Sequence, residues 1–206
     1  MNLPNQLTVA RLMMAFAFVA LMSFPSLVTY LIAYVVFVAA TITDYYDGKI
    51  ARERNLVTNF GKLLDPVADK VLLSGALVML MQAPGLHIPA WTVVAIVARE
   101  FLVTGVRSLA ASEGVVIPAN IWGKTKAVIQ MVYVFVFLAL VIIGDVLEAL
   151  SRVVGASWWG SFLIYYHKGV AAGSFWAIIF VAVFTTYAGF QFMRGNWNAM
   201  GLGETR

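Results

Sequence analysis

The sequence of 206 residues contains no cysteine and few charged residues. The absence of cysteine excludes disulfide bonds, thiolate metal ligands and a cysteine nucleophile. Lysine and arginine number 14, aspartate and glutamate number 10, and together they make up only 12% of the chain. Soluble domains carry charge on about a quarter of their residues, so this composition excludes an ordinary water-soluble domain, a disordered tail and a nucleic-acid-binding arm. We therefore expect no nucleic-acid partner.

Long apolar segments dominate the chain, which is 62% hydrophobic with a mean hydropathy of +0.87. A helix needs about 20 mostly apolar residues to cross a membrane, and no segment shows the period-2 alternation of a membrane β-strand. Backbone polar groups in lipid must be paired within each helix. We therefore predict an all-α integral membrane protein, a bundle of six transmembrane helices that forms a single domain over residues 1–206. The predicted spans are Leu7–Phe24, Val28–Arg52, Leu64–Gln82, Ala90–Ser112, Trp122–Gly144 and Val170–Met193.

Lysine and arginine are concentrated on one side of the predicted bundle. If the N-terminus is cytoplasmic, the outer side carries only Arg152 and Lys168, both in the long outer connection predicted at 145–169. Positively charged residues favour the cytoplasmic side of a membrane. We therefore predict a lipid membrane location with both termini in the cytoplasm. The basic residues then on the inner side are Arg11, Arg52, Arg54, Lys62, Lys124, Lys126, Arg194 and Arg206.

Charged residues cluster around the end of the second span and the start of the third. Ten of them lie between positions 44 and 70, and these are Asp44, Asp47, Lys49, Arg52, Glu53, Arg54, Lys62, Asp65, Asp69 and Lys70. Residues three or four apart share a helix face. One such face carries Asp44, Asp47 and Gly48. A second face carries Gly61, Asp65 and Asp69, provided that the third helix begins early enough. The short connection makes the two helices antiparallel neighbours, so these faces can meet.

Four facing carboxylates at a membrane boundary repel one another and are costly to desolvate. Divalent cations with hard oxygen ligands offset that cost, and four aspartates suffice for two ions that share ligands around a phosphoryl centre. Gly48 and Gly61 leave space for a ligand, and Arg52 is placed to bind a phosphate. The alternative is structural ion pairing with the neighbouring lysines Lys49, Lys62 and Lys70.

The same residues resemble a known signature. Asp-x-x-Asp-Gly-x-x-Ala-Arg, eight residues, and then Gly-x-x-x-Asp-x-x-x-Asp identify the chain as similar to the CDP-alcohol phosphotransferase family. Blocks at 2–11, 55–62, 64–70, 99–107 and 123–130 resemble bacterial members that make phosphatidylglycerol phosphate, so the resemblance covers residues 1–131. The fixed positions of the signature here are Asp44, Asp47, Gly48, Ala51, Arg52, Gly61, Asp65 and Asp69.

The resemblance implies a reaction and roles for these residues. The phosphatidyl group of CDP-diacylglycerol would be transferred to the 1-hydroxyl of sn-glycerol 3-phosphate, giving phosphatidylglycerol phosphate and CMP. Two Mg²⁺ or Mn²⁺ ions, a homodimer and a bacterial inner (plasma) membrane are also implied, with the polar, metal-binding cavity facing the cytoplasm. Asp69 would be the catalytic base. The metal ligands would be Asp44, Asp47, Asp65 and Asp69. The CDP-diacylglycerol contacts would be Gly48, Ala51, Arg52 and Gly61.

An acceptor that carries a phosphate needs a second basic site. Arg107 lies near the cytoplasmic end of the fourth span, and Lys124 and Lys126 open the fifth, so we predict that these three residues bind the phosphate of glycerol 3-phosphate. A helix N-terminus near Lys124 also favours anions. The alternative for all three is anchoring of the bundle at the membrane surface by snorkelling basic side chains.

Other polar residues lie within the predicted spans. We expect Arg99 and Glu100, in the middle of the fourth span, to bridge neighbouring helices rather than to act in catalysis. Near the N-terminus, either contact with the nucleotide or capping at the membrane interface would explain Asn5, Thr8 and Arg11.

Competing functions remain open. Within the family, the acceptor could instead be inositol phosphate, serine or phosphatidylglycerol. A cation-coupled or proton-coupled transporter would place acidic residues near mid-membrane in both halves of the chain. Here the four aspartates lie at one edge of the predicted bundle, which favours the transferase. A scaffold without activity would leave the facing carboxylates unexplained.

Overall fold

The computed structural model of this protein describes residues 3–53, 59–112, 121–155 and 158–196, with side chains described over 5–44, 67–112, 121–155 and 158–196. All regular structure in these residues is helical, which confirms the all-α prediction. The six helices are α1 (Leu3–Met22), α2 (Leu27–Glu53), α3 (Asn59–Leu80), α4 (Ala90–Ser112), α5 (Ile121–Val154) and α6 (Trp159–Gly195).

Four of these helices are long and apolar enough to cross a membrane. The qualifying segments are Asn5–Met22, Leu27–Asp44, Ile121–Val154 and Trp159–Gly195, which lie in α1, α2, α5 and α6. The chain therefore has the helices of an integral membrane protein. Within the described residues, α3 and α4 do not meet the same requirement. The count of six spans stays a prediction.

The last two helices are longer than predicted. The fifth span was expected to end at Gly144 and the sixth to begin at Val170, but α5 continues to Val154 and α6 begins at Trp159. With a rise of about 1.5 Å per residue, the 34 residues of α5 cover about 51 Å, against about 30 Å of hydrocarbon. The helices extend beyond the predicted spans, because hydropathy marks where a chain leaves the lipid and not where its helix ends. The predicted outer connection is therefore mostly two helical extensions.

Local hydrogen bonds define two of the helix ends. The Ser26 hydroxyl accepts a bond from the Thr29 backbone N–H (3.2 Å), and the Ser26 N–H donates to the Thr29 hydroxyl (3.1 Å). This reciprocal pattern has the form of a capping box and starts α2 directly after Pro25. At the end of α5, Gly155 has a φ of +62° and its N–H donates to the Ser151 carbonyl (3.2 Å). A glycine in this left-handed conformation is a common helix stop.

The chain divides into two compact units, each with its own packed interior. The first comprises Met1–His87 and Val134–Ala172. Within it, α1 packs along both α2 and α3. The Phe37 ring lies 5.5 Å from the Phe18 ring and 5.0 Å from the Phe135 ring, centroid to centroid, and so joins α1, α2 and α5.

The second unit comprises Ile88–Tyr133 and Gly173–Arg206. In it, buried Ala110 of α4 and Phe192 of α6 form a hydrophobic cluster, against which Val103, Val106 and Met193 pack. The first unit contains the whole acidic motif, and the second contains the basic residues predicted for the acceptor phosphate.

Candidate functional site

Asp44 lies at the end of the buried face of α2. That face is formed by residues at intervals of three and four, which are Tyr30, Ala33, Phe37 and Ala40, each at most 2% exposed. The same interval leads from Ala40 to Asp44, whose side chain is 39% exposed. Asp44 therefore lies where the packed interior of the first unit gives way to accessible space.

The buried partner of Asp44 is Arg11 of α1. The Arg11 Nη1 atom lies 2.6 Å from Asp44 Oδ1, and only 1% of the Arg11 side chain is exposed. A charge-assisted hydrogen bond of this length is among the stronger contacts in proteins. Nucleotide contact and capping at the membrane interface were the two predicted roles of Arg11, and this ion pair was not predicted. The available signal was the spacing of Asn5, Thr8 and Arg11 on one face of α1, all of them buried.

The second half of the motif lies on a single helix. Because α3 begins at Asn59, five residues before the predicted Leu64, it includes Gly61, Asp65 and Asp69 at intervals of four. This meets the condition under which these three residues share a face. The Asp69 side chain is half-buried and follows Ala68, which is completely buried.

Helix α1 is the common neighbour of the two helices that carry the motif. Among the described residues, α2 and α3 contact each other far less than either contacts α1. The approach of α1 to α3 is close, since a Cβ on Gly75 would lie 3.0 Å from a methyl carbon of Val19. Completely buried Ala68 and Ala76 continue this small-residue surface. The direct facing of the two acidic faces stays a prediction.

The remaining motif residues are placed by their backbone alone. Asp47, Gly48, Ala51 and Arg52 lie on α2, and Gly61 and Asp65 lie on α3. Their side chains lie outside the described set, so their predicted contacts stay predictions.

Asp44 and Asp69 fit a divalent cation by chemistry and by placement. Both supply hard carboxylate oxygens, the ligands that Mg²⁺ and Mn²⁺ prefer, and both keep part of the side chain accessible. Three or more His, Asp or Glu side chains do not converge on a metal position within the described part of the chain. The side chains of two of the four predicted ligands, Asp47 and Asp65, lie outside the described set.

The predicted phosphate-binding residues lie in the second unit and differ in their surroundings. Arg107 on α4 and Lys124 on α5 have exposed side chains. The Lys126 ammonium instead forms an ion pair with Glu100 Oε1, and the two side chains are 12% and 13% exposed. This contact joins α4 to α5 and confirms the expected bridging role of Glu100. Convergence of the three basic residues stays a prediction.

The partners within a buried polar network of the second unit were not predicted, although Arg99 and Glu100 were expected to bridge helices. Arg99 Nη1 lies 3.4 Å from Glu100 Oε1, and the Arg99 side chain packs so closely on α6 that a Cβ on Gly189 would lie 2.7 Å from its Nε. Between α5 and α6, the side-chain amide of the completely buried Gln130 donates to the Thr185 hydroxyl at 3.2 Å. These contacts hold α4, α5 and α6 through polar groups, and hydropathy cannot reveal such pairings.

A cavity of about 500 Å³ lies between the helical extensions of α5 and α6. No predicted site residue lines it. In its polar lining, His167 Nε2 lies 3.1 Å from Glu148 Oε1. The lining residues are Glu148, Ser151, Arg152, Leu163, Ile164, His167 and Lys168.

Comparison with known proteins agrees with the motif. A protein named CDP-diacylglycerol--glycerol-3-phosphate 3-phosphatidyltransferase from Bacillus subtilis (strain 168) is 36% identical over 97% of both chains. Proteins of the same name from Rickettsia bellii (strain RML369-C) and Pseudomonas fluorescens are 42% and 37% identical. The Rickettsia match covers 63% of this chain and 71% of its relative, and the Pseudomonas match covers 68% and 73%. A sequence model of the CDP-alcohol phosphatidyltransferase family matches residues 1–188. The chain belongs to the CDP-alcohol phosphatidyltransferase family.

Proposed function

We propose that this chain transfers the phosphatidyl group of CDP-diacylglycerol to sn-glycerol 3-phosphate, releasing CMP and forming phosphatidylglycerol phosphate. The observation that carries the proposal is the 36% identity to the Bacillus subtilis transferase over 97% of both chains, with every fixed position of the family signature present. The Rickettsia and Pseudomonas relatives carry the same name. This agreement favours glycerol 3-phosphate over inositol phosphate, serine or phosphatidylglycerol as the acceptor.

The acidic motif would hold two Mg²⁺ or Mn²⁺ ions. Bound divalent cations supply charge neutralisation at the pyrophosphate of the donor and at the departing CMP. The chain's own contribution is the set of carboxylates on two helices that share α1 as a neighbour, with Asp44 fixed by Arg11. The ligands we propose are Asp44, Asp47, Asp65 and Asp69.

Asp69 is the proposed base for the acceptor hydroxyl. The 1-hydroxyl oxygen forms a bond to the phosphorus of the phosphatidyl group, and the bond from that phosphorus to the oxygen of CMP breaks. CMP leaves with the bridging oxygen and its electron pair, and the hydroxyl proton moves to the Asp69 carboxylate. A half-buried carboxylate on a rigid helix suits this task, because it can be oriented and still be reached by a substrate.

The two substrates need different binding groups. For CDP-diacylglycerol we propose backbone approach at Gly48, Ala51 and Gly61 and a charged contact from Arg52. For the phosphate of the acceptor we propose Arg107, Lys124 and Lys126, since cations bind phosphate through charge-assisted hydrogen bonds. Glu100 would fix the ammonium group of Lys126 in this role.

The membrane arrangement is also a proposal. We infer six spans in a bacterial inner membrane, both termini and the reaction centre on the cytoplasmic side, and a homodimer. One support is the distribution of lysine and arginine along the chain. The other is the presence of helices α3 and α4 at the third and fourth predicted spans, the two that, among the described residues, lack a helix meeting the length and hydropathy requirement.

Substitution of Asp69 by asparagine tests the catalytic assignment. Asp69→Asn is nearly isosteric but cannot take a proton, so we expect CDP-diacylglycerol to bind while the transfer rate falls by about 10²–10⁴-fold. The measurements are donor binding and the rate of CMP release with glycerol 3-phosphate.

Asp145→Asn is the matched control, because Asp145 is a carboxylate of α5 outside the motif. It should keep the wild-type rate. Near wild-type turnover in Asp69→Asn would contradict the assignment of Asp69 as the base.

A further inference from the structure

Arg11 lies on a face of α1 that is buried along its whole length. The face is polar in its first two turns and apolar afterwards, in the order Asn5, Thr8, Arg11, Ala15, Phe18 and Met22, and each of these residues is at most 7% exposed. Buried polar groups near a membrane are costly unless they are paired. The polar end of this face therefore needs a structural or functional reason.

The ion pair with Asp44 is asymmetric. Arg11 is sealed, with 1% of its side chain exposed, whereas 39% of the Asp44 side chain is exposed. The short contact is made by Nη1 to Oδ1. A guanidinium held by packing is a rigid anchor for the carboxylate oxygen that it contacts, and part of the Asp44 side chain stays accessible.

We propose that Arg11 is a positioning residue that fixes Asp44 through Oδ1, so that Asp44 presents its other oxygen, Oδ2, to a divalent cation. The inference rests on the proposed function, since it takes Asp44 to be a metal ligand. Outer-shell partners of this kind orient metal-binding carboxylates, and their loss typically lowers metal affinity by about 10–100-fold.

The location of Arg11 gives this contact a wider consequence. Arg11 is carried by α1, the helix that packs along both α2 and α3. The two acidic halves of the motif lie on those helices. Arg11 therefore links Asp44, the first proposed ligand, to α1, and α1 also packs against α3, which carries Asp65 and Asp69. The distance between the proposed ligands on α2 and α3 then depends on α1 as well as on these two helices.

The test is binding of Mn²⁺ to the purified full-length protein, without donor or acceptor, with free Mn²⁺ measured by electron paramagnetic resonance. We expect Arg11→Gln to raise the Kd for Mn²⁺ by at least about 10-fold. Arg11→Lys keeps the charge but loses the planar fork, so it should give a smaller increase. Arg11→Lys also keeps the test decisive if Arg11→Gln does not fold, because it leaves no uncompensated buried charge.

Arg99→Gln is the matched control. Arg99 is likewise buried and likewise in contact with a carboxylate, that of Glu100, but it lies in the second unit. A purely structural role for Arg11 predicts that the Arg11 and Arg99 variants lose thermal stability alike and keep the wild-type Kd for Mn²⁺. The proposal predicts a raised Kd in the Arg11 variants alone.

The outcomes separate this inference from the proposed function. Wild-type Mn²⁺ affinity in folded Arg11→Lys and Arg11→Gln overturns the inference, even where the wild-type protein transfers phosphatidyl groups to glycerol 3-phosphate. Weakened Mn²⁺ binding in these variants supports the inference even where the wild-type protein uses another acceptor. Absence of Mn²⁺ binding by the wild-type protein overturns it.

Discussion

At the scale of single residues, two buried arginines show how this protein accommodates charge. Arg11 is held by Asp44, and Arg99 contacts Glu100 and lies against the backbone of Gly189. Burial of an arginine is unfavourable unless a carboxylate compensates its charge. Arg99 also requires space, which only a residue without a side chain provides at position 189.

Gly189→Ala should therefore destabilise the protein. The added Cβ would lie 2.7 Å from Arg99 Nε and 2.9 Å from Arg99 Cγ, so the buried arginine has to move. We expect a loss of about 1–3 kcal/mol in the free energy of unfolding, typical of overpacking in a filled interior. The measurement is the thermal unfolding midpoint of the purified protein in detergent.

Gly169→Ala provides the comparison within the same helix. No heavy atom lies within 4 Å of a Cβ built at Gly169. Alanine has a higher helix propensity than glycine by about 1 kcal/mol, so this variant should unfold at the wild-type temperature or above it. Equal stability of the Gly169 and Gly189 variants would show that Arg99 does not fill the space beside α6.

The residues of the candidate site could be predicted only in part. The motif was readable because its spacing of three and four residues is a local property of a helix. The pairing of Arg11 with Asp44 was not, since these residues lie on different helices and periodicity does not determine which side chains meet between helices. The pairing of Lys126 with Glu100 escaped prediction for the same reason.

At the scale of elements, helices were predicted well and their ends less well. The predicted bounds of the fourth span, Ala90–Ser112, are those of α4. Hydropathy did not predict the end of α5 and the start of α6, where the helix continues in a more polar sequence. Two hydrogen bonds from the extension of α6 to α5 stabilise it there: the Trp159 indole donates to the Leu147 carbonyl (3.2 Å), and the Tyr166 hydroxyl donates to the Leu140 carbonyl (2.6 Å).

The number of elements that cross the membrane can be measured directly, because the chain has no cysteine of its own. With six spans, the connection between α3 and α4 is external. With spans formed by α1, α2, α5 and α6 alone, it is cytoplasmic. Gln82→Cys places a thiol at an exposed position in that connection. We expect a membrane-impermeant maleimide to label Gln82→Cys in intact cells.

Two further exposed positions calibrate the labelling. Ser26→Cys, between α1 and α2, should be labelled from outside in either arrangement, and Ser112→Cys, at the end of α4, should be labelled only after the membrane is opened. Protection of Gln82→Cys together with labelling of Ser26→Cys would reduce the number of spans to four.

At the scale of the whole molecule, the chain contains one unit with the acidic motif and a second unit with the basic residues predicted for the acceptor phosphate. The family match covers residues 1–188 and so includes segments of both units. Because only 12% of the residues are charged, the few charged clusters in the chain indicate the proposed binding sites of the two substrates. Four of the ten acidic residues lie in the motif, and the predicted cations for the second substrate lie in the other unit.

The most direct test of the account is an acceptor comparison with the purified protein. CDP-diacylglycerol and Mg²⁺ are supplied with sn-glycerol 3-phosphate, inositol phosphate, serine or phosphatidylglycerol in separate reactions, and CMP release is measured together with the lipid product. We expect CMP release and phosphatidylglycerol phosphate formation with glycerol 3-phosphate alone. CMP release with another acceptor, and none with glycerol 3-phosphate, would contradict the proposed function.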